Sequence, residues 1–199
     1  MSFLNRFFGP PNIAKLREQE NIPELIKALS HDDTNIRRDA ERALVEIEQT
    51  GRSDVIRSLI ASGLESPESR ETVIRIISEA PDSNVVNILM DLLNAVTLDV
   101  ERLPRLSPLA QKEALAGLSW LTEIFIALDT KAVKSLIGVY GNPRFERVVE
   151  HILASIGDPA FEIVASIEAN DKYFVGLREQ ATLFMKKLRG PGVKKFVNR

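Results

Sequence analysis

Residues 21–47, NIPELIKALSHDDTNIRRDAERALVEI, carry a pattern that returns along the chain: a short apolar helix, an acidic turn, then a longer helix. A repeat of this kind constrains the fold more than composition does. One helical hairpin cannot bury its apolar face alone, so successive hairpins must stack on one another. In the first copy, Leu25, Ile26 and Leu29 give the stripe of a helix over 22–30, with Asn21 as N-cap and Pro23 in the first turn. Ile36, Ala40, Ala43, Leu44 and Ile47 recur on one face of a second helix over about 33–49. Gly51 is its expected stop.

The same grammar can be phased through the chain. A lead-in helix over 12–19 precedes the first hairpin. Ser53 or Asp54 opens the second, with Pro67 starting its second helix. Pro81-Asp82 caps the third, whose first helix holds Val85 to Val96. A loop over 99–107, DVERLPRLS, then leads to Ser107-Pro108 and a long helix to Leu128. Asp129 or Thr130 caps the fourth, and Gly157-Asp158-Pro159 stops one helix and starts the next. Second helices align on Ile36/Ala40/Leu44/Ile47, Ser69/Val73/Ile77/Ala80, Ala110/Ala114/Leu118/Leu121, Phe145/Val149/Leu153/Ile156 and Leu177/Ala181/Met185/Leu188. Their anchors step by 33, 41, 35 and 32 positions, close to the periods of two-helix repeats. No segment alternates as a strand, so the fold class expected is all-α: an α-solenoid of about five antiparallel hairpins. It is expected as one domain over 1–189, with an N-terminal cap at 1–20 and a flexible basic tail at 190–199.

Composition narrows the chemistry. There is no cysteine, which removes disulfides, thiolate nucleophiles and Cys-ligated zinc, and is compatible with a cytoplasmic location. The opening MSFLNRFFGPP lacks the apolar run and cleavage site of a signal peptide. The longest apolar stretch, Leu115–Leu128, is too short to span a bilayer and contains Glu123, so it reads as a buried core helix. Residues 1–100 hold 11 Lys and Arg against 17 Asp and Glu, a net −6. Residues 101–199 hold 15 against 11, a net +4, concentrated at Lys186, Lys187, Arg189, Lys194, Lys195 and Arg199. That end is a solvated helix and tail, or an arm for an acidic partner.

The chain resembles the HEAT-repeat family, in particular its short prokaryotic form related to phycobilisome-lyase-type repeats. The residues that carry the likeness are Asp33, Ile36, Arg37, Ala40, Ala43, Leu44 and Ile47, the phrase Leu153-Ala154-Ser155-Ile156-Gly157-Asp158-Pro159-Ala160, and the opening Phe7-Phe8-Gly9-Pro10-Pro11-Asn12-Ile13. It covers roughly residues 12–189. The resemblance implies a right-handed superhelix whose second helices line a concave face. It also implies an Arg early in each second helix, paired with a turn Asp. Arg37, Arg70 and Arg178 fit; Gln111 and Glu146 stand in the equivalent places of repeats three and four.

Candidate chemistry is sparse. There is no Walker loop, dinucleotide fingerprint, nucleophile elbow or zinc-protease motif, so no catalytic residue, cofactor or metal ligand is assigned. His31-Asp32-Asp33 reads as a capping turn, with a hard-cation cluster as its alternative. His151 is a surface or packed histidine. Trp120 is the only tryptophan and reads as core, with an exposed binding anchor as its alternative. Phe3, Leu4, Phe7 and Phe8 either cap the open end of the first repeat or anchor a partner, a membrane or a second copy.

These observations point to a non-catalytic scaffold that binds another protein. Its expected surface is the polar side of the second helices: Arg38, Glu41, Arg42, Glu71, Arg75, Lys112, Glu146, Arg147, Glu150 and Arg178. Their alternating signs fit a protein epitope better than a nucleic-acid groove. The alternative is a helical-repeat enzyme or enzyme subunit, lyase-like or of the DNA-glycosylase type. The acidic first half counts against the latter.

Overall fold

The computed structural model describes residues 10–48, 53–79 and 82–189. The Phe3/Leu4/Phe7/Phe8 group, the stops at Gly51 and Pro81, the core position Ala80 and the 190–199 tail lie outside them. The described residues form eleven α-helices and no strand. In chain order these are α1 (Ile13–Glu18), α2 (Ile22–Ala28), α3 (Thr34–Glu48), α4 (Ser53–Glu65), α5 (Arg70–Glu79), α6 (Asp82–Glu101), α7 (Pro108–Ala127), α8 (Val133–Val139), α9 (Pro143–Ile156), α10 (Asp158–Ala169) and α11 (Val175–Arg189). The chain divides into two compact units, residues 1–88 and 89–199, with the division inside α6.

In the first unit, α2 pairs with α3 and α4 with α5. First helix then stacks on first helix, α2 on α4, and second on second, α3 on α5. This is the layering of an α-solenoid, and the sequence accounts for it locally. The Asn21 side chain accepts from the Glu24 amide at 3.3 Å with Pro23 in the first turn of α2, and Asp33 Oδ1 accepts from the Asn35 amide at 2.8 Å at the start of α3. Leu25, Ala40, Leu44, Val55, Ile56, Leu59, Val73, Ile76 and Ile77 are fully buried between the layers. His31 lies in the capping turn, its Nδ1 accepting from the Asp33 amide at 3.0 Å.

The second unit repeats the scheme with α8 against α9, α10 against α11, α8 on α10, and α7 on α9. Asn142 caps α9 by accepting from the Arg144 amide at 3.1 Å, with Pro143 in the first turn. Phe145, Val149, Ile152 and Leu153 are its buried face. Gly157 ends α9 at φ 81°, ψ −144°, a region essentially closed to side-chain-bearing residues. A Cβ there would meet no neighbour within 4 Å, so only the backbone resists it. Gly157→Ala is therefore expected to destabilise by about 1–3 kcal/mol, measured by urea unfolding.

Three local expectations are corrected. The supposed loop at 99–107 is mostly helical: α6 runs on to Glu101, and Leu103–Arg105 form a 3-10 turn before Ser107 caps α7. Neither Asp129 nor Thr130 caps a helix. Asp129 takes a left-handed conformation at φ 52° and opens a 3-10 turn, Asp129–Ala132, that runs into α8 without a side-chain cap. The third second-helix is also out of phase. Ala110, Ala114 and Leu118 are only half-buried, and the packed side of α7 is Gly117, Trp120, Leu121, Ile124 and Phe125. Trp120 is fully buried, the core role expected of it.

The position following four of the five anchors has a common structural task, whereas Glu146, after Phe145, faces Lys187 instead. Arg37 Nη1 donates to the carbonyls of His31 and Asp32 at 2.7 and 2.9 Å, and Arg70 Nε to the Gly63 carbonyl at 2.8 Å. Gln111 donates from Nε2 to the Leu103 and Leu106 carbonyls at 2.8 and 3.1 Å. Arg178 instead pairs with the Asp171 carboxylate at 2.8 Å. A long donor one step into each of these helices thus ties it to the preceding turn, mostly through orphan carbonyls that leave a helix end unpaired. Gln111 shows that the task needs a donor rather than a charge.

Candidate functional site: an open groove on α7 and α9

Helix α9 sorts its side chains into three stripes. Phe145, Val149, Ile152 and Leu153 face the core. Arg144, Arg147 and His151, at i, i+3 and i+7, run along one edge with Val148. Glu146 and Glu150, at i and i+4, run along another, where Lys187 of α11 lies against both. Opposite charges therefore leave the helix in different directions.

The acidic edge closes on itself. The Tyr140 hydroxyl donates to Glu150 Oε1 at 2.7 Å, Lys187 Nζ contacts the same oxygen, and Glu146 Oε2 stands 3.9 Å from that ammonium. Tyr140 is almost fully buried, with its ring edge-on to Phe184 at 5.1 Å, and together with Ala154, Phe161 and Leu188 they border a small apolar recess. Burial, the hydrogen bond to Glu150 and the charges of Glu150 and Glu146 all push the phenol well above its ordinary value of 10.0. The folded state thus holds this proton more tightly than the unfolded chain. The resulting stability is complete below pH 10 and is lost as pH rises above it. Tyr140→Phe is expected to flatten the fall in stability above about pH 10. Urea midpoints measured across the alkaline range check this, and an unchanged slope would contradict it.

The basic edge opens onto a groove. Its walls are α9, the end of α6 and one side of α7, where Leu115 and Ser119 are exposed, Leu118, Glu123 and Ile126 half-buried and Thr122 buried. A Cβ added at Gly117 would meet the Val96 methyls at 3.6 and 3.8 Å, which places α6 beside α7 at one edge. Arg144 Nη1 reaches Asn94 Oδ1 at 3.3 Å, tying α9 to α6. Leu115 is 51% exposed and Leu109, in the first turn of α7, 66%. The stretch Leu115–Leu128, expected as a buried core helix, is thus packed along one side, while Leu115 and Ser119 stay exposed on the other.

The residues expected on the binding surface are placed within each unit as follows. In the first unit, Arg38, Glu41 and Arg75 border one shallow recess with Thr34, Arg37 and Thr72, and Arg75 pairs with Glu41 at 2.7 Å. Arg42 is exposed near Asp39 at 3.5 Å, and Glu71 is exposed in the first turn of α5. In the second unit, only Arg147 lines the groove. Lys112 is exposed on α7, Glu146 and Glu150 face Lys187, and Arg178 is held by Asp171. Sequence reasoning missed Arg144, His151 and the apolar wall of α7. The available signal was the unbroken apolarity of LAGLSWLTEIFIAL, which exceeds what one packed face can bury.

Among the described residues, no cluster of three or more His, Asp or Glu is arranged to hold a metal ion, and no helix is long and apolar enough to cross a membrane. No family model matches the chain, and no curated protein does. Among solved structures, a designed armadillo repeat protein aligns over 88% of this chain and 85% of its own, with 16% identity and a TM-score of 0.28.

Proposed function

We propose that this chain is a non-catalytic scaffold of the HEAT-like helical-repeat type, working in a reducing, cytoplasmic compartment and binding another protein through the second helices. The observation that carries this reading is the open side of α7. Leu109 and Leu115 stay more than half exposed, and Leu115 borders a groove edged by Arg144 and Arg147. Apolar surface held open beside charged groups supports an interaction site there. Helical hairpins tied turn by turn through Arg37, Arg70, Gln111 and Arg178 supply the rigid support such a surface needs. Affinity capture from the native host, followed by mass spectrometry, should recover a specific partner that competes with added untagged protein. A turnover that survives purification and is abolished by one polar substitution would overturn the reading.

A further inference from the structure

We infer that the recess between α3 and α5 receives a phosphorylated side chain of a partner protein. The inference rests on the scaffold reading in taking the occupant to be part of a protein. It goes further by placing a site in the first unit and naming the group it takes. Three observations carry it.

The first is a convergence of like charge. Thr34, Arg37, Arg38 and Glu41 of α3 and Thr72 and Arg75 of α5 border one recess. Three of these six are guanidiniums, and Glu41 is their one carboxylate. It is already taken by Arg75, at 2.7 Å, with its own side chain only 17% exposed. Arg38 is exposed, and among the described residues it has no ion-pair or hydrogen-bond partner. Guanidiniums gathered in this way repel one another, and an anion between them removes that cost.

The second is preorganisation. Arg37 Nη1 donates to the His31 and Asp32 carbonyls at 2.7 and 2.9 Å, and Nη2 donates to Thr34 Oγ1 at 2.8 Å. A guanidinium has five N–H groups, so these bonds hold it in place and leave two to donate. Neutral acceptors fix the group without cancelling its charge. Thr34 accepts through its oxygen and keeps its hydroxyl proton to give. Donors held in place before the ligand arrives lose little freedom on binding.

The third is the surroundings. Asp33, Asp39 and Glu71 are exposed, and each adjoins a lining residue in sequence. A nucleic acid or an anionic membrane would meet these carboxylates along with the recess. A single phosphate on a peptide with Lys or Arg beside it would set its charge on the arginines and its flanks on the carboxylates. Phosphate also suits the recess better than a partner's Asp or Glu. It carries up to about two charges, and its three terminal oxygens accept from donors on different sides, whereas one fork satisfies a planar carboxylate.

Two degenerate peptide libraries, one with a fixed central phosphoserine and one with serine there, passed over the immobilised full chain, test this. Retention of the phosphorylated pool is expected, with Lys and Arg enriched beside the phosphate. A retained peptide would then be synthesised, labelled and titrated by fluorescence anisotropy. Arg38→Ala and Arg75→Ala should each weaken its binding by about tenfold or more. Glu41→Gln should strengthen it, because the carboxylate that competes for Arg75 is gone. Lys172→Ala, which removes an exposed cation of the second unit, should leave it unchanged. Arg38 is exposed, so Arg38→Ala should keep the wild-type thermal melt, which separates lost binding from lost fold.

Equal retention of the two pools, phosphopeptide binding indifferent to Arg38→Ala and Arg75→Ala, or weaker binding by Glu41→Gln would overturn the inference. Inorganic phosphate that raises the melting temperature of the wild type but not of Arg38→Ala, with no phosphopeptide bound, would reassign the recess to a free anion and overturn it. Arg38-dependent binding of duplex DNA or phosphatidylinositol phosphate vesicles, again with no phosphopeptide bound, would do the same. The scaffold reading is separable. A native partner captured equally by wild-type and Arg38→Ala bait, before and after phosphatase treatment, would remove the phosphate site and leave the scaffold standing.

Discussion

Trp120→Ala is expected to destabilise the second unit by about 3–5 kcal/mol, the range for truncating a fully buried large aromatic. Trp120 is 0% exposed and lies on the packed side of α7 with Leu121, Ile124 and Phe125. Removing the indole withdraws apolar area and leaves a void that the neighbouring helices can only partly close. Trp120→Phe should cost less, because it keeps an aromatic ring in the same space. Circular dichroism in urea measures both. The wild-type protein carries its own control, since the chain has one tryptophan: its fluorescence should be blue-shifted and resist quenching until the second unit unfolds. A cost below about 1 kcal/mol would mean that the packed and open sides of α7 have been exchanged.

Leu44→Ala and Leu153→Ala are each expected to cost about 2–5 kcal/mol. Each is 0% exposed and stands at the same step of its repeat, in α3 of the first unit and α9 of the second. The measurement is again the urea midpoint with its slope. The exposed Arg38→Ala serves as a surface reference that should shift stability by less than about 0.5 kcal/mol. Equal and near-zero effects at both leucines would refute the hairpin register. A large loss at only one would confine the register to that unit.

Four of the five second helices were legible because they are amphipathic. In α3, α5, α9 and α11, polar residues surround the apolar stripe, so the 3.6-residue period selects a single face to bury. Ala40, Leu44, Val73, Ile77, Val149, Leu153, Leu177 and Ala181 are all buried at their expected steps. Asn21 and Ser107 announced their helix starts for a similar reason: a side-chain oxygen accepts a nearby backbone N–H, and that bond depends only on local sequence. The end of α6 was missed because Asp99 and Glu101 beside Pro104 read as a loop, although charges and the residues before a proline can remain in a helix's exposed last turn.

The sequence by itself determined the all-α class, the hairpin period and most of the core, since each follows from periodicity and local capping. That Arg37, Arg70 and Arg178 matter was an expectation from the resemblance and not from periodicity or capping. The sequence did not reveal the acceptors, because turn carbonyls at His31, Gly63 and Leu103 have no side-chain signature. Tertiary structure alone decided the groove. Helix α7 is apolar nearly all round, so no period distinguishes its buried side from its open one; only the placement of α6 and α9 does. The same packing turned Glu146 and Glu150 onto Lys187 and left Arg144 and Arg147 along the groove, a separation of charge that arises from which neighbour each edge of α9 meets.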